Sequence, residues 1–421
     1  MDDVIIAGGG IGGLTLALSL HRAGFGVEVF ESVERIQALG VGINLLPHAV
    51  RELDALGLAG KLAANGLTPS TLAYFTKRGE PIWDEPRGLA AGYRWPQISI
   101  HRGVLHVVLH EAAIASIGAE RIHTACHLDR FDQTGGGVEA TFVDRRTGEV
   151  AAVARGSMLV ACDGIHSMAR RKFYPDEGMP KWNGSLLWRG LAEGAPVFDG
   201  RTMVWAGHPR QKFVLYPVLD MPDGRQQLNF IAELRTDSTE LLEREDWNRP
   251  GELEDFLPRF ADWVFPWLDV PSLIASAPGT FLFPMVDRDP VQRWSFGRVT
   301  LLGDAAHPMY PIGSNGASQA ILDARTLTGC LLSYGDDVER ALIRYDEVRR
   351  PATSAIVMAN RGLGPELPMQ LVEERAPNGF AELSDVITPE EILAVTDGYR
   401  KMAGFSLQQL EDNPSLAEVR Y

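Results

Sequence analysis

The chain opens on a short apolar run, changes to helical spacing and then returns to an apolar run. Residues 4–7 suit a strand buried on both faces, residues 11–23 carry apolar side chains at helical spacing, and residues 27–31 restore a strand pattern. A strand, helix, strand unit of this length suits the crossover between two parallel strands. The pattern therefore predicts a Rossmann-type opening.

Later segments repeat these patterns. Apolar runs at residues 157–162 and 298–304 predict two more buried strands, and helical spacing at residues 101–115 and 316–332 predicts two helices. Between the first of these helices and the next buried strand, a three-stranded meander is expected near residues 122–131, 138–143 and 148–153.

Alternating apolar and polar positions set in at about residue 184 and continue to about residue 285. This period of two, broken by turn clusters, predicts an antiparallel sheet with one face packed on helices. We therefore predict an α/β fold with an α+β second domain. Residues 1–180 and 286–362 form a discontinuous Rossmann-type domain, residues 181–285 an inserted mixed β-sheet domain, and residues 363–421 a C-terminal helical segment.

Composition and charge narrow the function. The 421 residues carry a formal net charge of -15, which argues against nucleic acid or an anionic membrane surface as partner. The three cysteines, Cys126, Cys162 and Cys330, lack metal-ligand spacing, so we expect no metal and a reducing cytoplasm. The apolar N-terminus is interrupted by glycines, and no uninterrupted apolar run elsewhere reaches the roughly 20 residues that a membrane-spanning helix requires. A soluble monomer or homodimer that binds a small molecule is expected.

A glycine cluster follows the first strand. Its spacing predicts a dinucleotide site, because glycines permit the turn and let the pyrophosphate approach the backbone at the helix N-terminus. Glu31, with Ser32 beside it, ends the second strand, where a carboxylate can accept hydrogen bonds from ribose. The alternative is a glycine-rich structural turn, and the motif alone does not separate FAD from NAD. The motif residues are Gly8, Gly10, Ile11, Gly12 and Gly13.

Two later motifs add to the first. Asp163 and Gly164 follow the strand at residues 157–162, Gly303 and Asp304 end the run at residues 298–304, and a glycine-rich loop follows at residues 311–317. The three motifs in this order resemble the class A flavoprotein hydroxylases, the para-hydroxybenzoate hydroxylase family. Four further segments, residues 40–44, 99–103, 246–249 and 283–290, resemble the phenazine-carboxylate monooxygenases of that family. Pro308 and the segment after Leu363 depart from the pattern and leave the substrate open.

The resemblance implies an FAD-dependent monooxygenase. NADH or NADPH would bind transiently as reductant, and molecular oxygen would hydroxylate a small aromatic or N-heteroaromatic substrate through a flavin C4a-hydroperoxide. In the family pattern Asp304 accepts a hydrogen bond from the ribityl chain, and Arg102 reaches the pyrophosphate or ribityl region, although either could be an ordinary ion-pair partner. The implied FAD contacts also include Val41, Gly42, Ile43, Leu128, Asp163, Gly303, Pro311, Gly313, Gly316 and Ala317.

Pocket candidates come from the alternating region and the glycine-rich loop. We expect Trp188, Arg189, Tyr216 and Pro311 to face the substrate. Arg189 would pair with a substrate carboxylate or form a structural salt bridge, and Tyr216 would polarise a ring hydroxyl or satisfy a buried hydrogen bond. Trp188 is either a pocket wall or a core aromatic. His307, inside the cofactor motif, is interpreted as structural.

Two other functions remain compatible with the glycine motif. A flavin oxidase or dehydrogenase would use the same nucleotide site without inserting oxygen, and a non-catalytic flavin-binding redox sensor would not turn over. The paired Asp163-Gly164 and Gly303-Asp304 motifs favour the hydroxylase.

Overall fold

A computed structural model describes residues 3–38, 40–237 and 249–421. Residues 246–248, part of one segment that resembles the phenazine-carboxylate monooxygenases, lie outside the described residues.

The strands are β1 (Val4–Ala7), β2 (Val27–Phe30), β3 (Gly42–Leu45), β4 (Gly66–Leu67), β5 (Thr71–Phe75), β6 (Pro81–Pro86), β7 (Ile98–His101), β8 (Ile122–His123), β9 (His127–Thr134), β10 (Gly137–Val143), β11 (Val150–Gly156), β12 (Met158–Ala161), β13 (Lys181–Gly194), β14 (Thr202–His208), β15 (Gln211–Asp220), β16 (Gln226–Arg235), β17 (Val264–Phe265), β18 (Leu268–Asp269), β19 (Thr280–Asp287), β20 (Ser295–Phe296) and β21 (Val299–Leu301).

The helices are α1 (Ile11–Arg22), α2 (Pro47–Ala55), α3 (Ala59–Asn65), α4 (Arg102–Ile117), α5 (Met168–Phe173), α6 (Leu253–Phe256), α7 (Val270–Ala275), α8 (Gly316–Tyr334), α9 (Val338–Arg361), α10 (Leu367–Arg375), α11 (Pro389–Met402) and α12 (Leu407–Asp412). Short 3-10 turns include Gly303–Ala305, Ile312–Ser314 and Gly364–Glu366.

The first sheet has the order β20-β21-β12-β1-β2-β8. The pairs from β21 to β8 are parallel, and β20 adds an antiparallel edge. Its central strands are buried throughout, because α1, α4 and α8, which pack on one another, cover one face and the β9-β10-β11 meander covers the other. The predicted Rossmann-type opening and the predicted meander are confirmed.

The second sheet has the order β19-β13-β16-β15-β14-β5-β6. It is antiparallel except where β5 runs parallel to β14. The predicted alternating region supplies five of these strands, but the hairpin of β5 and β6 comes from residues assigned by sequence to the first domain. The assignment of this hairpin to the first domain was wrong. β5 pairs with β14, which lies much later in the chain, and pairing between strands so far apart leaves no local sequence signal.

The C-terminal segment is helical, as predicted, but it is more than a surface layer. α11 begins with a capping box between Thr388 and Glu391 and has proline at its first position. Ile392 of this helix and Met369 of α10 pack on the second sheet, and Tyr399 and Phe405 join a separate buried cluster. The segment therefore forms a wall of the interior. Within the described residues, no helix is both long and apolar enough to cross a bilayer.

We expect Ile6→Ala in β1 to lower the free energy of unfolding by about 2–5 kcal/mol, because the removed atoms leave a cavity in a strand with no exposure. Urea denaturation of the FAD-saturated protein measures this loss. Val153→Ala on β11, where the side chain is 55% exposed, is the control and should change stability by less than about 0.5 kcal/mol. Equal losses in both variants would contradict this placement of the core.

Candidate active site

The glycine loop lies where β1 ends and α1 begins, against the end of β12. Gly8 has φ +110°, and a Cβ there would overlap the carbonyl of Cys162. A Cβ on Gly13 would overlap the carbonyl of Gly8. These two positions need glycine for contacts within the protein itself.

Gly10 has a different reason to be glycine. It is the N-cap of α1 and has an ordinary φ of -74°, and a Cβ there would meet no protein atom within 4 Å. No side chain caps this helix N-terminus, so its first N–H groups face the cavity. A bound phosphate at that place would need the space that a side chain on Gly10 would fill.

Glu31 closes the loop from the end of β2. Its Oε2 accepts a hydrogen bond from Gly9 N at 2.6 Å, and its Oε1 accepts from Ser32 Oγ at 3.0 Å and Val33 N at 2.9 Å. These bonds hold the carboxylate beside the glycine loop, where ribose would lie next to pyrophosphate.

Asp163 follows β12, and burial raises the pKa of its carboxyl group. Oδ2 accepts a hydrogen bond from Met168 N at 2.8 Å, whereas Oδ1 is buried without a partner among the described residues. A buried oxygen of this kind needs a donor, and a bound cofactor could supply one. Gly164, with φ +77°, lines the cavity next to it.

The Gly303–Ala305 turn presents Asp304 to the cavity, and burial raises the pKa of this carboxyl group. Behind the turn, Asp323 accepts from Gly303 N at 3.1 Å, contacts His307 Nε2 at 2.5 Å and accepts from Arg349 Nε at 2.7 Å. Burial opposes the charge of Asp323, but His307 and Arg349 hold its pKa below the usual value. His307 thus supports the turn from behind, which agrees with the structural interpretation.

The loop before α8 is held by a residue that sequence reasoning missed. Gly313 has φ +68°, and a Cβ there would overlap Tyr399 of α11. The Tyr399 hydroxyl accepts from Asn315 Nδ2 at 2.8 Å and donates to Asn360 Oδ1 at 2.7 Å. Tyr399 carries no motif, and only the packing of the C-terminal segment reveals its contact with the loop.

Three side chains of the second sheet converge on Gly42. Asn229 Oδ1 accepts from Gly42 N at 2.7 Å, and the carbonyl of Gly42 accepts from Tyr216 Oη and Arg189 Nη2, each at 2.7 Å. A Cβ on Gly42 would lie 2.8 Å from atoms of Tyr216 and Asn229. The second sheet therefore sets the position of the strand that carries Gly42 and Ile43.

Not every nitrogen of the Arg189 guanidinium has a hydrogen-bond partner. Its Nε is buried without a partner among the described residues, and its guanidinium lies 5.6 Å from the ring centroid of Phe283. Burial lowers the pKa of Arg189, and Tyr216 opposes that shift. Arg102 is exposed, and no hydrogen bond or ion pair of its guanidinium occurs within the described ranges.

One cavity of about 380 Å³ joins these features. Of the predicted cofactor and pocket residues, it is lined by Gly10, Ile11, Gly12, Gly13, Ile43, Arg102, Arg189, Tyr216, Gly303, Asp304, Pro311, Gly316 and Ala317. The other predicted cofactor residues do not line it; these are Gly8, Glu31, Ser32, Val41, Gly42, Leu128, Asp163 and Gly313. Leu128 packs in the core of the first sheet beside Phe142.

Trp188 is not a cavity residue, and its prediction as a pocket wall was wrong. It lies on the opposite face of β13 from Arg189, because successive side chains of a strand point to opposite faces. Its ring stacks on Phe256 at 5.1 Å between centroids, within the core beneath the second sheet.

A buried ion cluster at the cavity was also missed. Lys212 Nζ contacts Glu233 Oε2 at 2.8 Å and Glu366 Oε2 at 2.6 Å, and all three side chains are at most 5% exposed. Burial opposes the charge of Lys212, but the two carboxylates hold its pKa above the usual value. Burial raises the pKa of Glu366, and Lys212 opposes this. A lysine on β15 and a glutamate on β16, both at positions that face the interior, were the sequence signal that could have revealed the cluster. No sequence signal pointed to Glu366.

The chain matches known proteins along most of its length. A model of the FAD binding domain matches residues 1–249 and 282–360, and the protein belongs to this family. It is 42% identical over 404 residues to phenazine 1,6-dicarboxylic acid hydroxylase PhzS of Lysobacter antibioticus, covering 95% of this chain and 97% of that protein. It is 31% identical over 384 residues to 3-hydroxybenzoate 6-hydroxylase of Klebsiella oxytoca, covering 89% and 91%.

Solved structures show the same fold. A salicylate hydroxylase substrate complex aligns with a TM-score of 0.75 at 23% identity, over 99% of this chain and 98% of that one. HpxO of Klebsiella pneumoniae complexed with FAD and uric acid aligns with a TM-score of 0.73 at 23% identity, over 98% and 97%.

The protein is thus a class A flavoprotein hydroxylase. It is an FAD-dependent monooxygenase of aromatic substrates with a nicotinamide reductant, and the expected fold, enzyme class and cofactor are confirmed. The relatives support this function rather than the oxidase or the redox sensor.

We expect Gly10→Val to abolish FAD retention, to less than about one FAD per ten chains, because the side chain would occupy the phosphate position. The FAD-free protein should lose no more than about 1 kcal/mol of stability, the cost of a poorer N-cap. Flavin absorbance after purification and thermal unfolding measure the two effects.

Two further glycine variants distinguish a blocked phosphate position from a disturbed fold as the cause of FAD loss. Gly13→Ala should lose FAD and stability together, because its Cβ overlaps the protein backbone, and Gly60→Ala in α3, with no atom within 4 Å, should lose neither. Normal FAD content in Gly10→Val would refute the phosphate placement.

Proposed function

We propose that the protein hydroxylates a flat aromatic or N-heteroaromatic carboxylic acid, with phenazine carboxylates as the first candidates. The observation that carries the proposal is the continuity of the cavity, which runs from the glycine loop to the second sheet. The 42% identity to a phenazine 1,6-dicarboxylic acid hydroxylase over nearly the whole chain supports the ring class.

The cofactor contacts form the first part of the proposal. The α1 N-terminus and Gly10 would hold the pyrophosphate, Glu31 the ribose and Asp304 the ribityl chain, with Arg102 supplying unpaired donors nearby. The N-terminus of α8 at Gly316 would face the pyrimidine edge of the flavin. When bound, FAD supplies hydride acceptance and oxygen activation.

The substrate end is the second part. Its walls are mainly apolar, which excludes water from the reaction and favours a flat ring. Leu187, Met203, Trp205, Val214, Ile231 and Met285 form these walls. Arg189 would pair with the substrate carboxylate through its unpartnered Nε, while Nη2 keeps its bond to Gly42. Tyr216 donates to the same carbonyl, so its role is to position the Gly42 strand beside the ring.

A screen of aromatic and N-heteroaromatic acids under ¹⁸O-labelled oxygen tests the reaction. At least one acid should stimulate NAD(P)H oxidation and yield a product with one labelled oxygen atom in a new hydroxyl group, as mass spectrometry would detect. An oxidised product without label would instead identify an oxidase, and the absence of stimulation by every acid would refute the proposed substrate class.

We expect Arg189→Met to weaken binding of the carboxylic acid by about 10- to 100-fold, the value of one hydrogen bond to a charged group. The dissociation constant is measured from the change in flavin absorbance on titration. Arg225→Met, at an exposed site outside the cavity lining, is the control and should bind like wild type. If Arg189→Met retains FAD and binds the acid with unchanged affinity, Arg189 does not recognise the carboxylate.

A further inference from the structure

The ion cluster of Lys212, Glu233 and Glu366 has no assigned task in FAD binding. Lys212 and Glu233 are cross-strand partners on β15 and β16, and Glu366 reaches them from the turn that follows α9. All three residues line the cavity. Burying three charges is costly unless their groups are well paired, so the position of the cluster calls for an explanation.

The register places the cluster at one end of the substrate face. Tyr216, Val214 and Lys212 follow one another on the same face of β15, so Lys212 lies roughly 13 Å along the strand from Tyr216, at about 3.3 Å per residue. Arg189 pairs with Ile231, which pairs with Val214, so Arg189 belongs to the middle row. A fused aromatic ring that meets Arg189 with one edge can therefore meet the cluster with the other.

The cluster presents acceptors to the cavity. Lys212 takes one oxygen of each carboxylate, Oε2 in both cases. No hydrogen bond to Oε1 of Glu233 or Glu366 occurs among the described residues, and both residues line the cavity although each is only 4% exposed. Acceptors in the lining of a cavity are satisfied by donors of a ligand or by water.

The charge of the cluster sets its preference. One ammonium between two carboxylates carries a net charge of -1, and the short distances to both carboxylates fit that ionised state. A second carboxylate on the ligand would meet like charge in a poorly solvated place. An amino or hydroxyl group would instead donate to the free oxygens.

We propose that Glu233 and Glu366, held in place by Lys212, select substrates that carry an N–H or O–H donor on the ring edge remote from the carboxylate bound by Arg189, and disfavour a second carboxylate there. This inference rests on the proposed function and specifies the substrate class within it.

The test compares ring-matched ligands on the FAD-loaded enzyme. The probes are phenazine-1-carboxylic acid bearing hydrogen, hydroxyl, amino or carboxylate at position 6, titrated without reductant while flavin absorbance is followed. The hydroxyl and amino compounds should bind at least about tenfold more tightly than the dicarboxylate, because like-charge contact is costly. Equal or tighter binding of the dicarboxylate overturns the proposal.

Two variants locate the preference. Glu366→Gln and Glu233→Gln each leave Lys212 one carboxylate partner and bring the cluster to neutrality, so the ratio between donor ligand and dicarboxylate should shrink by about tenfold or more. Glu373→Gln on α10, whose carboxylate pairs with Lys77 outside the cavity, is the matched control and should keep the wild-type ratio. An unchanged ratio in both cavity variants, with FAD retained, also overturns the proposal.

Failure of this inference is distinct from failure of the proposed function. The binding ratio needs no turnover, and wild type alone decides if both cavity variants lose FAD. Labelled hydroxylated product together with tighter binding of the dicarboxylate would refute the preference for a donor group and would leave the proposed function standing. Lack of labelled product from every ring acid would refute the proposed class of aromatic carboxylic acid substrates.

Discussion

The structure depends on a close approach of backbone to backbone at the carboxyl ends of β1 and β12. Gly8 rests against the carbonyl of Cys162, and Gly13 rests against the carbonyl of Gly8, with no room for a Cβ at either place. This contact brings the N-terminus of α1 to the edge of the parallel sheet, where ligands of such sheets bind. The Gly303–Ala305 turn and α8 reach the same edge because β21 pairs with β12.

A second constraint joins the two sheets. Gly42 belongs to a small sheet attached to the first unit, yet its N–H and carbonyl are bonded by Asn229, Tyr216 and Arg189 of the second. Side chains of the second sheet therefore hold the backbone segment that leads into Ile43 of the cavity lining. The Tyr216 hydroxyl donates to that carbonyl and so helps to hold the Gly42 backbone in place.

The C-terminal segment completes the enclosure. Tyr399 holds the loop before α8, and Glu366 joins the ion cluster on the second sheet. The segment therefore contacts both the loop before α8 and the cavity wall, so substitutions in it can affect both ends of the cavity.

The sequence alone determined the parallel core, its helices and the glycine loop before α1, and the resemblance of its motifs to a known family indicated the enzyme class. These depend on local apolar periodicity and on glycine, aspartate and glutamate at the ends of strands, which are visible within short windows. Only the tertiary structure decided which sheet the β5–β6 hairpin joins, which face of β13 meets the cavity, that Glu366 lines the cavity, and that Tyr399 contacts the loop before α8. Those facts arise from strand register and from contacts between residues far apart in the chain, so no local pattern carries them.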